Sequence, residues 1–246
     1  MNVKLTVEYD GTNYHGWQVQ ANYPSIQAVL EKAVSTFLGV PTHINGSGRT
    51  DAGVHALGQV ANFFTDKVYL PYRILRGLNA LTPRDITVKD VEIVDDCFDA
   101  RRDGRSRLYE YLILNRSTPS PFHHNRAWHI HEPLDVEAMA KAVECLVGEH
   151  DFSSFRAANC DASHPIRTVY QTGLEYRGEL LVYGIEGTAF LRHMVRNIVG
   201  TLADVGRGIR TAESFVELLD ARDRTQAGYT APPVGLYLVQ VKYDPT

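Results

Sequence analysis

A glycine-rich stretch from residue 46 to residue 56 holds the residue types best suited to chemistry. It reads Gly-Ser-Gly-Arg-Thr-Asp-Ala-Gly-Val-His-Ala, so three glycines surround Arg49 and Asp51. Asp51 is the only carboxylate between Glu31 and Asp66. A carboxylate beside an arginine stays ionised and oriented, which is the form that a nucleophile requires. A glycine-rich hairpin with an exposed ion pair of little energetic value is the alternative, and both interpretations stay open.

A second group of polar residues lies in a segment whose apolar spacing predicts a helix from Phe190 to Val205. The polar side of that helix would carry Arg192, His193, Arg196, Asn197 and Gly200. Arg192 and Arg196 are four residues apart, where like charges on a helix repel weakly. The two arginines would have a function if they bind an anion, either the Asp51 carboxylate or an RNA phosphate. A solvated polar face is the alternative.

Four arginines between residues 101 and 107 lead into a predicted strand that contains Tyr109 and Tyr111. Because side chains alternate along a strand, the two tyrosines point to the same face. Cations for phosphates beside a ring for stacking are typical of RNA binding. Tyrosines in the core behind a charged strand edge explain the composition equally well.

Four histidines, at positions 123, 124, 129 and 131, raise the question of a metal site. Their spacing matches no structural zinc pattern and no cysteine is near them, so we predict no metal site. The sequence also has no phosphate-binding P-loop, no dinucleotide fingerprint and no nucleophilic serine or cysteine motif.

The composition is that of an ordinary globular protein, with 246 residues of which 44% are hydrophobic and 22% charged. No apolar run approaches the ~18 residues of a membrane span, and the N-terminus has no signal-peptide pattern. The three cysteines are far apart, which favours reduced thiols and a cytoplasmic location. The net charge of −4 argues against a generally basic nucleic-acid binder but leaves room for a local basic groove.

The predicted elements that position these residues repeat one order. The first half has a strand from Val3 to Tyr9, a helix between Ser25 and Gly39, strands on both sides of the glycine-rich stretch, a helix from Pro71 and a strand from Ile86 to Ile93. The second half begins with a strand from Leu108 to Leu114, a long loop from Asn115 to Glu132 and a helix capped by Asp135. A hairpin about Arg177-Gly178 and the helix from Phe190 follow. A short helix capped by Thr211 and a closing strand from Leu236 to Tyr243 end it. We therefore predict an α+β fold of two ferredoxin-like (β-α-β-β-α-β) halves, residues 1–105 and 106–246. They would share a central antiparallel sheet, with the active-site cleft between them and with Asp51 and Arg196 facing each other across it.

Short segments spread along nearly the whole chain show a family resemblance. They are Tyr9-Asp10-Gly11-Thr12, Gly16-Trp17-Gln18, Ser47-Gly48-Arg49-Thr50-Asp51-Ala52-Gly53-Val54-His55, Arg107-Leu108-Tyr109-Glu110-Tyr111, Gly148-Glu149-His150-Asp151-Phe152, His193-Met194-Val195-Arg196-Asn197 and Gly235-Leu236-Tyr237-Leu238. In this order they resemble the motifs of the bacterial tRNA pseudouridine synthase A family. The chain departs from the family pattern at Ala189, where glycine is common, at Arg192, where an aromatic residue is common, and at Glu110, where a basic residue is common.

The resemblance implies an enzyme that converts uridine to pseudouridine at positions 38, 39 and 40 of the tRNA anticodon stem-loop, as a homodimer and without a cofactor or metal. It also implies roles for individual residues. Asp51 would be the nucleophile and Arg196 its partner, Tyr109 would stack on the flipped uracil and take the proton from C5, Leu236 would pack under the ring, and Arg49 would help to displace the base. Arg107, Arg192 and His193 are further candidates for substrate contacts. A nucleoside hydrolase, which would favour a second carboxylate, and a non-catalytic RNA-binding module are the alternatives.

Overall fold

The computed structural model describes residues 1–243, and within this range the chain is α+β, with ten strands and five α-helices. Its contacts divide it into two units. Unit 1 comprises residues 1–105 and the chain from Tyr237 onward, and unit 2 comprises Ser106–Leu236. The closing strand, which the sequence-based division assigned to the second half, therefore belongs by its contacts mainly to the first unit.

Unit 1 is built on a mostly antiparallel sheet with two helices. Its elements are β1 (Asn2–Tyr9), α1 (Ile26–Leu38), β2 (Asn45–Gly46), β3 (His55–Phe64), α2 (Pro71–Leu81), β4 (Ile86–Val94) and, completing the numbering at the end of the chain, β10 (Leu236–Lys242). Strand β1 lies between β3 and β4 and is antiparallel to both, and β2 is antiparallel to β3. Strand β10 is parallel to β3, with Tyr237 opposite His55. The first half thus has the predicted order of strands and helices.

The helices of unit 1 begin and end at residues that the sequence marks. The Ser25 side chain accepts a hydrogen bond from the backbone N–H of Ala28, and Gly39 ends α1 in the left-handed conformation with φ 76°. Helix α2 begins at Pro71, as predicted. Helix α1 buries Ile26, Leu30 and Val34, and β1 buries its alternate residues from Val3 to Val7, so these apolar sides form the core of the unit.

Unit 2 is built of mostly antiparallel strands and three α-helices. Its elements are β5 (Ser106–Asn115), β6 (Trp128–Ile130), α3 (Val136–Val143), β7 (Gly148–Asp151), β8 (Ile166–Arg177), β9 (Leu180–Gly187), α4 (Met194–Gly206) and α5 (Ala212–Ala221). Strands β5, β9, β8 and β7 are neighbours in that order and all antiparallel, whereas β6 is parallel to β5. The predicted hairpin and the helices capped by Asp135 and Thr211 are confirmed. Strands β6 and β7 were not predicted, and β6 lies inside the segment expected to be a long loop.

The prediction of a helix from Phe190 is wrong at its start, because α4 begins only at Met194. His193 precedes it in the left-handed conformation, with φ 62°. The backbone of Arg192 is bound elsewhere: its N–H donates to Cys160 Sγ, and its carbonyl accepts a hydrogen bond from the N–H of Ala157. Arg192 and Arg196 therefore do not lie one turn apart on a common helix.

The expected polar face of this helix is also packed rather than solvated. Asn197 is fully buried and its amide donates to the carbonyl of Phe155. At Gly200, a Cβ atom would lie only 1.8 Å from the carbonyl oxygen of Tyr229. This side of α4 therefore receives two other segments of unit 2. Of the predicted polar residues within the helix, Arg196 is half-buried, whereas Asn197 and Gly200 are buried.

Candidate active site

The glycine-rich stretch forms a loop, residues 47–54, between β2 and β3, and a buried glutamine holds its beginning. Gln59, on β3, is completely buried. Its Oε1 accepts a hydrogen bond from Ser47 Oγ at 2.6 Å, and its Nε2 donates to the Gly48 carbonyl at 3.0 Å. Burial of an amide that makes several hydrogen bonds fixes the segment it binds. The loop thus leaves the sheet in one defined conformation.

The middle of the loop lies directly against the segment that follows β1. The Thr50 hydroxyl is within 2.8 Å of the Tyr9 hydroxyl, and the Thr50 carbonyl accepts a hydrogen bond from the N–H of Trp17. Gly16 has φ 88°, and a Cβ atom there would lie 2.4 Å from the Thr50 carbonyl oxygen. A side chain at residue 16 would therefore push the two loops apart.

Asp51 lies between these fixed points. It is half-buried, whereas Arg49 is exposed. The Asp51 carbonyl accepts a hydrogen bond from the N–H of Val54, and the N–H of Gly53 donates to the Tyr14 carbonyl. The backbone on each side of Asp51 is therefore anchored while the residue stays half-buried, which is the arrangement expected of a reactive group that must keep one orientation.

The end of the loop is anchored by His55, the first residue of β3. Its side chain is buried, and its Nδ1 accepts a hydrogen bond from the N–H of Gly11 at 3.1 Å. The imidazole ring stacks on the ring of Tyr237, with 4.7 Å between centroids. The last strand of the chain thereby contacts the residue that closes the Asp51 loop.

In unit 2, Tyr109 and Tyr111 point to the same side of β5, as predicted, but their environments differ. Tyr109 is half-buried and its ring meets the Phe190 ring edge-on at 5.1 Å. Tyr111 is completely buried and its hydroxyl donates to the Pro232 carbonyl at 2.6 Å. Burial raises the pKa of Tyr111 above its usual range, and the nearby Arg196 guanidinium opposes that shift. Tyr111 is thus a core residue, and Tyr109 is the accessible ring.

Arg196, on the first turn of α4, is fixed to the segment that leads into β10. Its Nε donates to the Ala231 carbonyl at 2.8 Å, and its own carbonyl accepts a hydrogen bond from the N–H of Ala231. Leu236, five residues further on, is buried at the start of β10. Beside it, a Cβ atom at Gly235 would lie 2.6 Å from the Tyr111 ring. Arg196 and Tyr111 therefore lie together against residues 231–235.

The remaining predicted substrate residues of unit 2 lie at its surface. Arg107 is half-buried and donates to the Thr188 carbonyl at 2.8 Å. Arg192 is exposed and donates to the Asn159 carbonyl. His193 is the half-buried residue before α4. Burial raises the pKa of the neighbouring Cys160 thiol, but hydrogen bonds from Ala162, Arg192 and Arg156 and the charge of Arg156 together outweigh burial, so the pKa lies below its usual value.

Two of the clustered histidines, His123 and His129, contact other polar groups. His123 lies 2.9 Å from a carboxylate oxygen of Glu179, and His129 Nε2 lies 2.8 Å from the Arg116 carbonyl. Within residues 1–243, no three His, Cys, Asp or Glu side chains converge as metal ligands would. Over the same range, no helix has the length and apolar character needed to cross a membrane.

The structure thus groups the predicted residues unit by unit. Arg49 and Asp51 share the loop of unit 1, and Tyr109 and Arg196 belong to unit 2, on β5 and α4. Sequence reasoning missed Gln59 and Phe190, which position the loop and the accessible tyrosine. The signal for Gln59 was present, because it is a polar residue in a strand that is otherwise mostly apolar. For Phe190, the incorrectly extended helix placed the ring on an apolar helix face.

Comparison with known proteins assigns the class. A family model described as tRNA pseudouridine synthase matches residues 5–101 and 142–244, so the chain is of the pseudouridine synthase class. The tRNA pseudouridine synthase A of Myxococcus xanthus is 49% identical over 98% of this chain and 91% of its own length. The proteins of the same name from Geotalea uraniireducens and Thermoanaerobacter sp. are 46% and 45% identical, each over 98% of this chain and 99% of their own length. The chain belongs to the tRNA pseudouridine synthase A family.

A solved structure, a Cbf5-Nop10-Gar1 complex, is also similar to part of the chain. The match is 13% identical with a TM-score of 0.33, and it covers 81% of this chain and 54% of the other. A likeness of this size supports no argument about the fold or the site.

Proposed function

We propose that this protein isomerises uridine to pseudouridine at positions 38, 39 and 40 of the tRNA anticodon stem-loop. The observation that carries the proposal is the loop around Asp51, a half-buried carboxylate residue on an anchored backbone, in a chain that belongs to the tRNA pseudouridine synthase A family. Because tRNA is the substrate, we place the reaction in the cytoplasm. We also propose that the active protein is a homodimer, as the family resemblance implies.

In this mechanism Asp51 is the nucleophile. Its carboxylate bonds to either C1′ of the ribose or the uracil ring, the bond between N1 and C1′ breaks, and the base turns so that C5 bonds to C1′. The bond to Asp51 then breaks, which returns the electron pair to the carboxylate and frees the enzyme. The proton leaves C5 and N1 gains one, so the product has the atoms and electrons of the substrate. The reaction therefore calls for no oxidant, reductant or group donor.

The residues of unit 2 supply the remaining roles. Tyr109 stacks on the flipped uracil and takes the proton from C5, and its half-buried ring on the edge of Phe190 supports this role. Arg196 pairs with Asp51, and Leu236 packs under the base. We propose that the two ferredoxin-like halves share one central sheet, with these groups meeting in a cleft. Arg49, which is exposed, helps to displace the target base, at a cost of a few kcal/mol for unstacking.

Incubation with uridine-labelled tRNA, followed by digestion to nucleosides, tests the function. Pseudouridine among the nucleosides supports the proposed reaction, and its absence from a tRNA without uridine at positions 38–40 supports the proposed positions. Release of free uracil would instead identify a nucleoside hydrolase. Unchanged uridine with retained tRNA binding would identify a binding module.

Replacing the nucleophile tests the mechanism. Asp51→Asn keeps the side-chain shape but removes its charge, so we expect undetectable turnover with tRNA binding largely retained, since phosphate contacts supply most of the affinity. Asp66→Asn is the matched control, because it removes one exposed carboxylate beyond β3 and should leave turnover unchanged. Substantial turnover by Asp51→Asn would remove Asp51 from its proposed role.

A further inference from the structure

One surface of unit 1 is basic although the whole chain is acidic. Between residues 67 and 84 the sequence holds Lys67, Arg73, Arg76 and Arg84 and no carboxylate, while the chain has 29 acidic and 25 basic residues. This segment contains the whole of α2. The local excess of positive charge therefore arises on one helix and its flanks.

The arginines of α2 lie on its solvent side. Ile74 and Leu78 are buried, and Gly77 lies against the Phe37 ring, so they define the packed side. At 100° per residue, Arg76 falls on the opposite side and Arg73 on the flank of the packed side, and both are exposed. Arg84, in the turn after the helix, is exposed as well. We call Arg73, Arg76 and Arg84 the α2 arginine track.

The arginines of the track have no acidic partner among residues 1–243. Arg73 donates only to the neighbouring Tyr72 hydroxyl, at 3.3 Å, and no carboxylate lies within ion-pair distance of the three guanidinium groups. Arg177, by contrast, binds both carboxylate oxygens of Glu110, at 2.7 and 2.8 Å. A surface arginine elsewhere in this protein is thus paired with a carboxylate, whereas the arginines of the track are not.

The position of Arg73 also works against the helix itself. It lies in the first turn of α2, where cations are disfavoured by the helix dipole, and Leu70 supplies no side-chain cap. Arg73 and Arg76 are three residues apart, so their charges repel as well. A polyanion beside the helix would offset both effects.

The turn after α2 is linked to the Asp51 loop through Tyr14. Asp85, next to Arg84, accepts a hydrogen bond from the Tyr14 hydroxyl at 2.8 Å, and the Tyr14 carbonyl accepts one from the N–H of Gly53, in the loop. From this end, α2 extends for about 16 Å along the unit. Arg84 at one end of the track is therefore connected, through Asp85 and Tyr14, to the loop that carries Asp51.

We propose that the α2 arginine track binds backbone phosphates of the tRNA substrate outside the nucleotide that reacts. The proposal rests on the proposed function for the identity of the RNA. Guanidinium groups match phosphate oxygens in geometry and charge, and such contacts position a nucleic acid without reading its sequence. The track increases affinity for tRNA and takes no part in the chemical step.

The double substitution Arg73→Gln with Arg76→Gln tests the track, because glutamine keeps helix propensity and removes both charges. We expect tRNA binding to weaken by about tenfold at 0.1 M salt, and the slope of log K against log salt concentration to fall by about 2. In turnover, KM should rise while kcat at saturating tRNA stays at the wild-type value. The double variant Arg73→Lys with Arg76→Lys keeps the charges and should recover most of the affinity.

The matched control is Lys141→Gln with Arg222→Gln, which removes the same net charge from two exposed cations of unit 2. It should retain the wild-type affinity and salt slope. The proposal would be overturned if tRNA binding weakened equally in this control. It would also be overturned if the Arg73/Arg76 glutamine variant kept the wild-type KM and salt slope. If the wild-type protein binds tRNA through the track but forms no pseudouridine, the proposed function is wrong, whereas the proposal that the track binds tRNA phosphates is retained.

Discussion

Two tyrosines on one strand illustrate how the surroundings of a residue decide its role. Tyr111 is enclosed, with its hydroxyl donating to the Pro232 carbonyl, so its polar group serves the fold. Tyr109 is half-buried, with its ring on the edge of Phe190. The alternation of side chains along β5 predicted that both rings share a face. It could not predict which one the loop at residues 231–235 covers, because that depends on a segment more than 100 residues away.

Tyr109→Phe separates stacking from proton transfer. The phenyl ring keeps the π-face, and the Phe190 contact is apolar, so we expect nearly normal tRNA binding and formation of the covalent adduct. If the hydroxyl relays the C5 proton, turnover should be at least ~100-fold slower, the usual scale for loss of an acid–base group. Single-turnover assays with adduct detection measure both steps. Near-wild-type turnover would leave Tyr109 as a stacking platform only.

The matched substitution Tyr111→Phe should affect stability instead. It removes one buried hydrogen bond and leaves the Pro232 carbonyl without that donor, at a cost of about 1 kcal/mol. For a chain of this length, that corresponds to a decrease in Tm of about 2–4 °C.

At the scale of elements, the Asp51 loop depends on how closely two loops approach each other. Gly16 and Gly39 both have positive φ, 88° and 76°, but only Gly16 lies against another segment. A Cβ atom at Gly16 would lie 2.4 Å from the Thr50 carbonyl oxygen, whereas one at Gly39 would meet no atom within 4 Å. The two positions share the same backbone requirement and differ in what surrounds them.

Gly16→Ala and Gly39→Ala therefore form a pair that tests positioning of the loop. Both should lose about 1–2 kcal/mol from left-handed strain. Only Gly16→Ala should displace Thr50 and Asp51, and a displacement near 1 Å lowers turnover by about 100-fold. Thermal unfolding and turnover, measured on both variants, give the comparison. Equal turnover in the two variants would show that the close approach at Gly16 is irrelevant to catalysis.

The elements also show where sequence patterns suffice. Local hydrogen bonds and backbone conformation determine several helix ends, and the structure confirms the predictions made from them. The residues are Ser25, Gly39, Pro71, Asp135 and Thr211. The start of α4 could not be predicted in this way. Apolar spacing continues through Leu191, but the backbone of Arg192 bonds to residues 157 and 160 instead of continuing the helix. A long-range contact thus overrode a local pattern.

At the scale of the whole chain, the candidate residues are divided between two units. Arg49 and Asp51 belong to the first, and Tyr109 and Arg196 belong to the second. The order of the elements in the first half was predictable from periodicity. The placement of the closing strand was not, because β10 joins unit 1 through its parallel pairing with β3, in which Tyr237 pairs with His55, 182 residues earlier.

The proposed reaction also leads to a prediction about whether the protein needs a metal ion. The proposed isomerisation rearranges bonds within one substrate and transfers no electrons, and His123 and His129 are engaged by Glu179 and the Arg116 carbonyl. We therefore expect turnover to survive treatment with a chelator of transition metals, such as 1,10-phenanthroline, with Mg²⁺ retained so that the tRNA stays folded. The control is the same treatment of the tRNA alone before enzyme is added. Turnover that is lost on chelation and restored by added Zn²⁺ would show that a metal takes part, and the histidines between 123 and 131 would then be the first ligands to substitute.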